Sequence, residues 1–249
     1  MIELKTPDEL ERMRQAGAIV ARLLQHLAEL VAPGVKTKEL DVAARAFIQA
    51  SGAEPAFLGY RGFPATICVS INDEVVHGIP GERIIKTGDV VSIDAGVKRH
   101  GFFSDAALTV PVGRVSARAQ RLIDTTRQSL EDAIAMAQPA NRLSDISHAV
   151  QQTVEREGFG IVRDFVGHGI GRALHEEPPI PNYGAPHTGP RLQPGMVLAI
   201  EPMVTMGRWD VDVLEDGWTA VTRDRSLAAH FEHTVVVTER DPEVLTRVN

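Results

Sequence analysis

The chain has 249 residues, of which 43% are hydrophobic and 24% charged, a composition that suits a folded domain and excludes a disordered or fibrous protein. Acidic residues outnumber basic ones by 33 to 26, and the net charge of −7 argues against a general attraction to nucleic acid or anionic membranes. The single cysteine, Cys68, cannot form an internal disulfide, and no apolar stretch reaches the length of a membrane helix, so the sequence predicts a soluble cytoplasmic protein.

The chain begins with two predicted helices. Thr6 and Glu9 have the spacing of a capping box, and apolar residues then recur at helical intervals, which predicts a helix over 7–31. We expect Thr37 to cap a second helix, whose apolar face continues up to Gly52.

Strands and helices alternate in blocks after this pair. β-branched and aromatic residues between Gly- and Pro-containing turns mark the strands, and 3.6-residue periodicity marks the helices. The predicted elements are strands at 66–71, 90–97 and 102–110, helices at 116–138 and 144–157, and strands at 196–206, 219–222 and 230–238.

The order of two helices followed by strands occurs twice. Residues of the segment 33–52 match those of 139–158 at a constant offset of 106, and residues 88–96 overlay 195–203 at an offset of 107. Chance similarity between two amphipathic segments is the alternative, but the shared order and nearly fixed offset favour a duplication. The sequence therefore predicts one α+β domain with antiparallel sheets meeting at a shared cleft. Its expected extent is 1–249, with repeats at about 1–112 and 113–249.

Two aspartates lie inside predicted strands, where buried carboxylates are costly. Asp94 and Asp105 both have apolar neighbours. The segment 98–101 has the length of a four-residue hairpin connection, which pairs Val97 with Phe102 and places the two aspartates directly opposite each other, with Cβ atoms roughly 4.5–5.5 Å apart. A shared proton or a metal ion would relieve the repulsion, and solvent exposure at the end of the hairpin is the alternative.

Glu201 and Glu232 repeat this anomaly in the second half, and the internal repeat aligns Asp94 with Glu201. Two divalent cations would balance the four negative charges, whereas one would leave an excess in a dry cleft. Lys or Arg partners could do the same, but no basic residue occurs within these strand segments.

A histidine in a glycine-rich segment could add a nitrogen ligand. His168 lies between Gly167 and Gly169, and glycines allow the backbone to approach a ligand closely. An imidazole among oxygen ligands favours Mn, Fe, Co or Zn over Ca or Mg. On this segment alone, a glycine-rich turn with an incidental histidine is an equal alternative.

Seven segments, in their order and spacing, resemble the methionine aminopeptidases over nearly the whole chain. They are His77-Gly-Ile-Pro, Ser92-Ile-Asp-Ala-Gly, the strand around Asp105, Gly167-His-Gly-Ile-Gly, His175-Glu-Glu-Pro, Ile200-Glu-Pro-Met and Phe231-Glu-His-Thr. The short interval between Glu201 and Glu232 is similar to the type I branch, and the chain resembles its short bacterial forms. The resemblance implies the M24 family's duplicated pita-bread (creatinase/aminopeptidase) fold, with antiparallel sheets, flanking helices and pseudo-twofold halves.

The resemblance also implies roles for individual residues. Two divalent metal ions, of Co, Mn, Fe or Zn, would be held by Asp94, Asp105, His168, Glu201 and Glu232. Glu201 would shuttle protons, and His77 and His175 match the family's two catalytic histidines that are not ligands. The methionine side chain would contact Phe57, Tyr60, Phe63, Cys68, Leu174 and Trp218, an apolar set with one soft sulfur, although ordinary core packing is the alternative for the phenylalanines.

The implied activity is removal of the initiator methionine from nascent proteins that have a small second residue, by attack of metal-bound hydroxide on the first peptide bond. The resemblance further implies a cytoplasmic monomer that works near the ribosomal exit tunnel, with neither nucleic acid nor membrane as a specific partner. Departures from the common family pattern at Phe57, Arg61, Leu174 and His230 leave the pocket shape open.

Two rival functions share this fold. A proline-directed aminopeptidase or prolidase would have the same five ligands, but such relatives usually carry a large extra N-terminal domain. A non-catalytic pita-bread binding protein would typically have lost ligands, and here all five residues are present.

Overall fold

The structure is a computed structural model and describes residues 2–247. The helices are α1 (Pro7–Leu30), α2 (Thr37–Ala50), α3 (Ala117–Ala135) and α4 (Leu143–Arg156). The strands are β1 (Glu54–Pro55), β2 (Cys68–Ile71), β3 (Glu74–Val76), β4 (Val90–Arg99), β5 (Phe102–Pro111), β6 (Gly160–Ile161), β7 (Gly167–Gly169), β8 (Glu176–Ile180), β9 (Val197–Ile200), β10 (Met203–Thr205), β11 (Val211–Val213), β12 (Ala220–Thr222), β13 (Ala228–His230), β14 (Glu232–Val236) and β15 (Glu243–Val244). None of the described helices is both long and apolar enough to cross a membrane.

The first helix begins at the predicted capping box. The Thr6 hydroxyl accepts from the backbone N–H of Glu9 at 3.4 Å, and the Glu9 carboxylate accepts from the backbone N–H of Thr6 at 2.8 Å. These bonds satisfy backbone donors that the first helical turn leaves unpaired, so α1 has a defined start.

The second and fourth helices, which the sequence repeat aligns, begin in the same way. Both have 14 residues. Glu39 accepts from the N–H of Lys36 at 2.8 Å, and Asp145 accepts from the N–H of Arg142 at 2.7 Å. The prediction that Thr37 caps α2 was wrong, because Thr37 is already the first helical residue and Lys36 is the cap. The acidic residue in the first turn fixes both helix starts.

One nine-stranded antiparallel sheet joins the two halves. Its main path runs β1-β4-β5-β14-β9-β7-β8, with β2 beside β4 and β15 beside β14. The halves meet where β5 pairs with β14 over only two residue pairs. Two hydroxyls extend this junction, because Thr234 bonds both backbone polar groups of Asp105 and Thr109 bonds those of His230. Two three-stranded sheets complete the fold, β13-β10-β6 and β11-β12-β3.

Two predicted strands are interrupted. The segment predicted as 196–206 divides into β9 and β10 at Glu201 and Pro202, and the segment predicted as 230–238 divides into β13 and β14 at Phe231. Proline has no N–H to donate to a neighbouring strand, which accounts for the first break. Both interruptions fall beside acidic residues that the sequence selected as ligands.

The β4–β5 hairpin has a different register from the predicted one. Arg99 pairs with Phe102, so the connection is the two-residue turn His100-Gly101 rather than four residues. Both turn residues have positive φ, 50° and 82°, as a type I′ turn requires. The prediction that Asp94 and Asp105 lie directly opposite each other was therefore wrong. Their register partners are Ala107 and Gly96, which makes the aspartates diagonal neighbours on one face.

Each half has its own apolar core. In the first half α1 and α2 pack on β2, β4 and the middle of β5, and in the second half α3 and α4 pack on β9, β10 and β14. A third cluster lies on the other face of the large sheet and contains Phe57, Phe63, Cys68 and Leu174. This third cluster forms one wall of the cavity described next.

Candidate active site

A single cavity of about 150 Å³ gathers every residue that the sequence selected as a ligand, a catalytic group or part of the methionine pocket. Its lining adds one further residue, Arg61. The lining residues are Phe57, Tyr60, Arg61, Phe63, Cys68, His77, Asp94, Asp105, His168, Leu174, His175, Glu201, Trp218 and Glu232. A wider and more open depression of about 830 Å³ lies between α1 and α3, but it contains none of these residues.

The hairpin of the first half brings Asp94 and Asp105 into the cavity floor. One oxygen of each carboxylate is buried without a hydrogen-bond partner among the described residues. Burial raises the pKa of Asp105 to about 7. The pKa of Asp94 is raised well above its usual range, first by burial and then by the charges of Asp105 and Glu201. Both shifts show that the site disfavours negative charge unless a cation compensates it.

The strand breaks of the second half deliver Glu201 and Glu232 to the same floor. Glu201 follows the last residue of β9, and Glu232 is the first residue of β14. Glu232 is 2% exposed, and one of its oxygens also has no partner within residues 2–247. Burial, followed by repulsion from Asp105, raises the pKa of both glutamates well above the usual range.

His168 completes a cluster of possible metal ligands. Its Nδ1 lies 2.9 Å from the carbonyl oxygen of Gly169, which accepts a hydrogen bond when Nδ1 carries the proton and so leaves Nε2 free. That Nε2 is 3.6 Å from an oxygen of Glu201. One carboxylate oxygen each of Asp105 and Glu232 and one nitrogen of His168 all lie within 4.8 Å of one another. Buried oxygens that lack partners, together with one imidazole, form a donor set that suits a divalent transition metal.

No lysine or arginine of residues 2–247 forms an ion pair with these four carboxylates. The only ion-pair contacts of Glu201 in this part of the chain are with His168 and His230. Unpaired buried carboxylates cost several kcal/mol each, which the fold does not offset with its own cations. The residues present therefore fit a site for divalent metal ions.

Glycines give His168 its place in the sheet. A Cβ atom at Gly167 would collide with the carbonyl oxygen of Ala199, and one at Gly169 with that of Glu177. The close approach of backbone to backbone on both sides holds the imidazole at the cavity floor. This is the physical use of the two glycines that flank His168 in the sequence.

The two histidines outside the ligand cluster, His77 and His175, also line the cavity. His175 is exposed at the rim, its Nδ1 is 2.8 Å from the Tyr60 hydroxyl, and its ring centre is 4.2 Å from that of His168. Burial of the ring atoms, and then repulsion by His168 and Arg61, lowers the pKa of His175. His77 has a positive φ of 61°, and burial lowers its pKa. Both rings are therefore neutral at pH 7.

Apolar side chains form the remaining wall. Phe57, Phe63 and Leu174 are buried, and Phe63 meets Trp218 edge-on with ring centres 5.1 Å apart. Cys68 pairs in register with Asp94, so the sulfur lies where the apolar wall meets the acidic floor. Burial raises the pKa of the Cys68 thiol well above its usual range, so the group is a neutral, soft contact.

Two neighbours of the site had no role in the sequence prediction. Arg61, noted there only as a departure from the family pattern, lines the cavity. His230 is 1% exposed, and its Nε2 is 3.9 Å from an oxygen of Glu201. Burial lowers the pKa of His230 to about 3, so the ring is neutral beside the glutamate. In the sequence, the position of His230 two residues before Glu232 was the feature that could have indicated its place beside the site.

Comparison with known proteins decides the family. Residues 11–239 match the model of metallopeptidase family M24. The chain is 53% identical to methionine aminopeptidase 1 of Bacillus subtilis and 52% identical to the methionine aminopeptidase of Clostridium perfringens, with 100% of each chain covered. It belongs to the methionine aminopeptidases of family M24. The resemblance predicted from the sequence is therefore confirmed.

Solved structures of the family have the same fold. The crystal structure of a methionine aminopeptidase from Thermotoga maritima matches with a TM-score of 0.98, 48% identity and 100% coverage of both chains. A prolidase from Pyrococcus furiosus matches with a TM-score of 0.80 at 23% identity, over 99% of this chain and 66% of that one. The predicted pita-bread fold is confirmed, and the prolidase similarity extends to the fold alone.

Proposed function

We propose that this methionine aminopeptidase family member removes the N-terminal methionine from nascent polypeptides in a metal-dependent hydrolysis, with a preference for a small second residue. One observation carries the proposal: an apolar wall with a soft sulfur and a floor of uncompensated carboxylates with one imidazole share a cavity of about 150 Å³. The names of relatives that are about half identical support methionine as the first residue.

The proposed metal site has two positions. Asp94, Asp105 and Glu232 would help to hold one ion, and Asp105, Glu232, His168 and Glu201 would help to hold the other. Two divalent ions, of Co, Mn, Fe or Zn, would balance the four carboxylates. When bound, they supply a water of lowered pKa as nucleophile and polarise the scissile carbonyl. The partnerless oxygens of Asp94, Asp105 and Glu232 support this assignment.

The chain's own residues would orient the substrate and move the protons. Glu201, beside His168 at the cavity floor, would take a proton from the attacking water and pass it to the leaving amine. If the Tyr60 hydroxyl donates to Nδ1 of His175, the neutral ring carries its proton on Nε2 and can donate to the developing oxyanion. His77 would bond the scissile amide. Tyr60 and His175 contact each other at 2.8 Å and both line the cavity, whose small volume of about 150 Å³ supports a small second residue.

We further propose that residues 1–249 act as a single catalytic domain, monomeric and cytoplasmic, near the ribosomal exit tunnel. Both halves contribute carboxylates to one cavity, which supports a single catalytic unit. Sedimentation of the protein alone and with ribosomes tests its oligomeric state and ribosome association.

A peptide comparison tests the function. Protein saturated with Mn²⁺ or Co²⁺ is offered Met-Ala-Ser and, separately, Ala-Pro-Ser, and the free amino acids are quantified. We expect methionine release alone, with Asp94→Ala inactive towards Met-Ala-Ser. Cleavage of only the proline peptide would assign a proline-directed peptidase, and cleavage of neither peptide would favour a binding protein.

A further inference from the structure

Arg61 is the only lysine or arginine among the described residues that line the cavity. Its side chain is exposed at the rim, in contrast to the buried floor. Arginines such as Arg14, Arg83 and Arg225 form ion pairs with carboxylates, whereas Arg61 has no carboxylate within ion-pair distance in residues 2–247. The cavity therefore has one positive charge at its mouth that the protein itself leaves without an acidic partner.

A tight turn fixes the place of this charge. Gly59, Arg61 and Gly62 all have positive φ, at 81°, 50° and 90°. The turn is closed by bonds from Gly59 N to Phe63 O at 2.8 Å and from Phe63 N to Tyr60 O at 2.9 Å. A residue other than glycine at positive φ costs about 1 kcal/mol, so the surrounding hydrogen bonds must hold Arg61 in this conformation.

Aromatic contacts direct the guanidinium along the cavity wall. Its central carbon lies 5.4 Å from the centre of the Tyr60 ring, a cation–π distance. The Tyr60 ring in turn stacks on His175 with ring centres 5.2 Å apart, and the His175 ring lies tilted against His168 with ring centres 4.2 Å apart. Arg61, Tyr60 and His175 thus form a continuous wall from the solvent to the metal ligands.

The exit path of the substrate follows that wall. If the first residue lies against the apolar side chains and its peptide bond lies over the carboxylate floor, the following residues must leave through the rim. An extended peptide advances about 3.3–3.6 Å per residue, so the second and third residues leave beside His175 and Arg61.

We propose that Arg61 is a specificity-determining residue that favours substrates with a carboxylate at the third position, in peptides that begin with methionine and a small residue. This inference rests on the proposed function. The net charge of −7 repels acidic substrates in general, and Arg61 reverses that repulsion locally. An exposed ion pair of this kind increases kcat/KM about two- to fivefold at low ionic strength, and salt weakens it.

Amidated tetrapeptides test the proposal without interference from a terminal carboxylate. The substrates are Met-Ala-Asp-Gly-amide, Met-Ala-Asn-Gly-amide and Met-Ala-Lys-Gly-amide, measured at low and high salt with the metal-loaded enzyme. The variants are Arg61→Gln and a charge-matched control, Arg45→Gln, which removes an exposed arginine on α2, away from the cavity. The ratio of kcat/KM for Asp over Asn is compared within each protein, so that any general loss of activity cancels.

We expect an Asp/Asn ratio of about two to five for the wild-type protein and for Arg45→Gln at low salt, a ratio near one for Arg61→Gln, and the lowest wild-type rate on the Lys peptide. A wild-type ratio of one or less, or an unchanged ratio in Arg61→Gln, overturns the role of Arg61. Failure of the wild-type protein to release methionine from all three peptides would instead overturn the proposed function.

Discussion

The two halves of the molecule present their acidic residues to the cavity in different ways. In the first half, Asp94 and Asp105 lie within an uninterrupted hairpin of two ten-residue strands. In the second half, Glu201 and Glu232 lie at strand breaks, and the strands beside them have four and five residues. One repeat therefore positions its carboxylates by a regular hydrogen-bond ladder, and the other positions them at ladder ends.

The connection between β7 and β8, which carries His175, is held by contacts from elsewhere in the chain. The Glu176 carboxylate accepts from the backbone N–H groups of Arg172 at 2.6 Å and Ala173 at 3.0 Å. The same carboxylate pairs at 2.6 Å with Lys5, whose side chain is 2% exposed. The comparison shows that two similar repeats reach one site through different strand geometries, and that the second half also depends on a contact with the N-terminal segment.

Neutralising one carboxylate from each half gives the largest expected effect. We expect Asp105→Asn and Glu232→Gln each to lower kcat/KM about 10³-fold, because each would remove a ligand to both proposed metals and several kcal/mol of transition-state stabilisation. Metal content and peptide kinetics provide the measurement. Asp124→Asn, which alters an exposed acid on α3, is the control. Wild-type activity in either test variant would mean that the halves do not share the site equally.

Metal removal at different pH values measures the free-energy cost of burying the carboxylates that both halves contribute. Burial raises the pKa of Asp105 to about 7 from 3.8, so in metal-free protein its stabilising contribution is present below pH 4 and lost as pH rises to about 7. Metal binding needs the ionised carboxylates. We therefore expect the Tm difference between Mn²⁺-saturated and chelated protein to increase by about 5 °C between pH 5 and pH 7.5. A difference independent of pH would contradict this account.

Breaking the ion pair of Lys5 with Glu176 should lower activity, although Lys5 does not line the cavity. We expect Lys5→Met to cost about 2 kcal/mol of unfolding free energy, because Glu176 loses its buried partner. Displacement of His175 should lower kcat about tenfold with a smaller change in KM. Arg14→Met is the control, since it breaks the ion pair of α1 with Glu243, outside the cavity lining. Equal kcat values for the two variants would refute the positioning role of Lys5.

The smallest expected effect concerns the hairpin turn of the first half. Gly101→Ala should lower the unfolding free energy by about 1 kcal/mol, because φ is 82° there. Gly81→Ala is the matched control, as Gly81 has a negative or extended φ and no close neighbour for a Cβ. Denaturant midpoints give both values. If the two alanine variants were equally stable, the positive φ of Gly101 would not contribute to the stability of the hairpin.

The hairpin shows how far local sequence patterns reach. The predicted pairing was displaced by two residues, and side chains alternate with a period of two, so the aspartates still share a face. The error arose because His100 adopts the positive φ that Asn or Asp before glycine would have signalled. The helix starts were easier to predict, except at Thr37, because capping depends on neighbours three residues apart.

Contacts between residues far apart in the chain could not be predicted from the sequence. Lys5 belongs to a polar N-terminal segment, and nothing near it indicates that its side chain is buried against a partner 171 residues away. Arg61 reaches the cavity because of a turn conformation, and the break at Phe231 has no proline to announce it. The acidic residues could be selected because burying a carboxylate in an apolar strand is costly wherever the strand lies.

The glycines around the site limit how the protein can change under selection. A side chain at Gly96 would meet the ring of Phe57 at 2.8 Å, and one at Gly167 or Gly169 would strike backbone carbonyls. Codon changes at these positions would disrupt the site rather than reshape it. Under exposure to an inhibitor that fills the cavity, the protein would thus have few structural routes to resistance, and we expect escape alleles to map to Phe57, Arg61 or Leu174 instead.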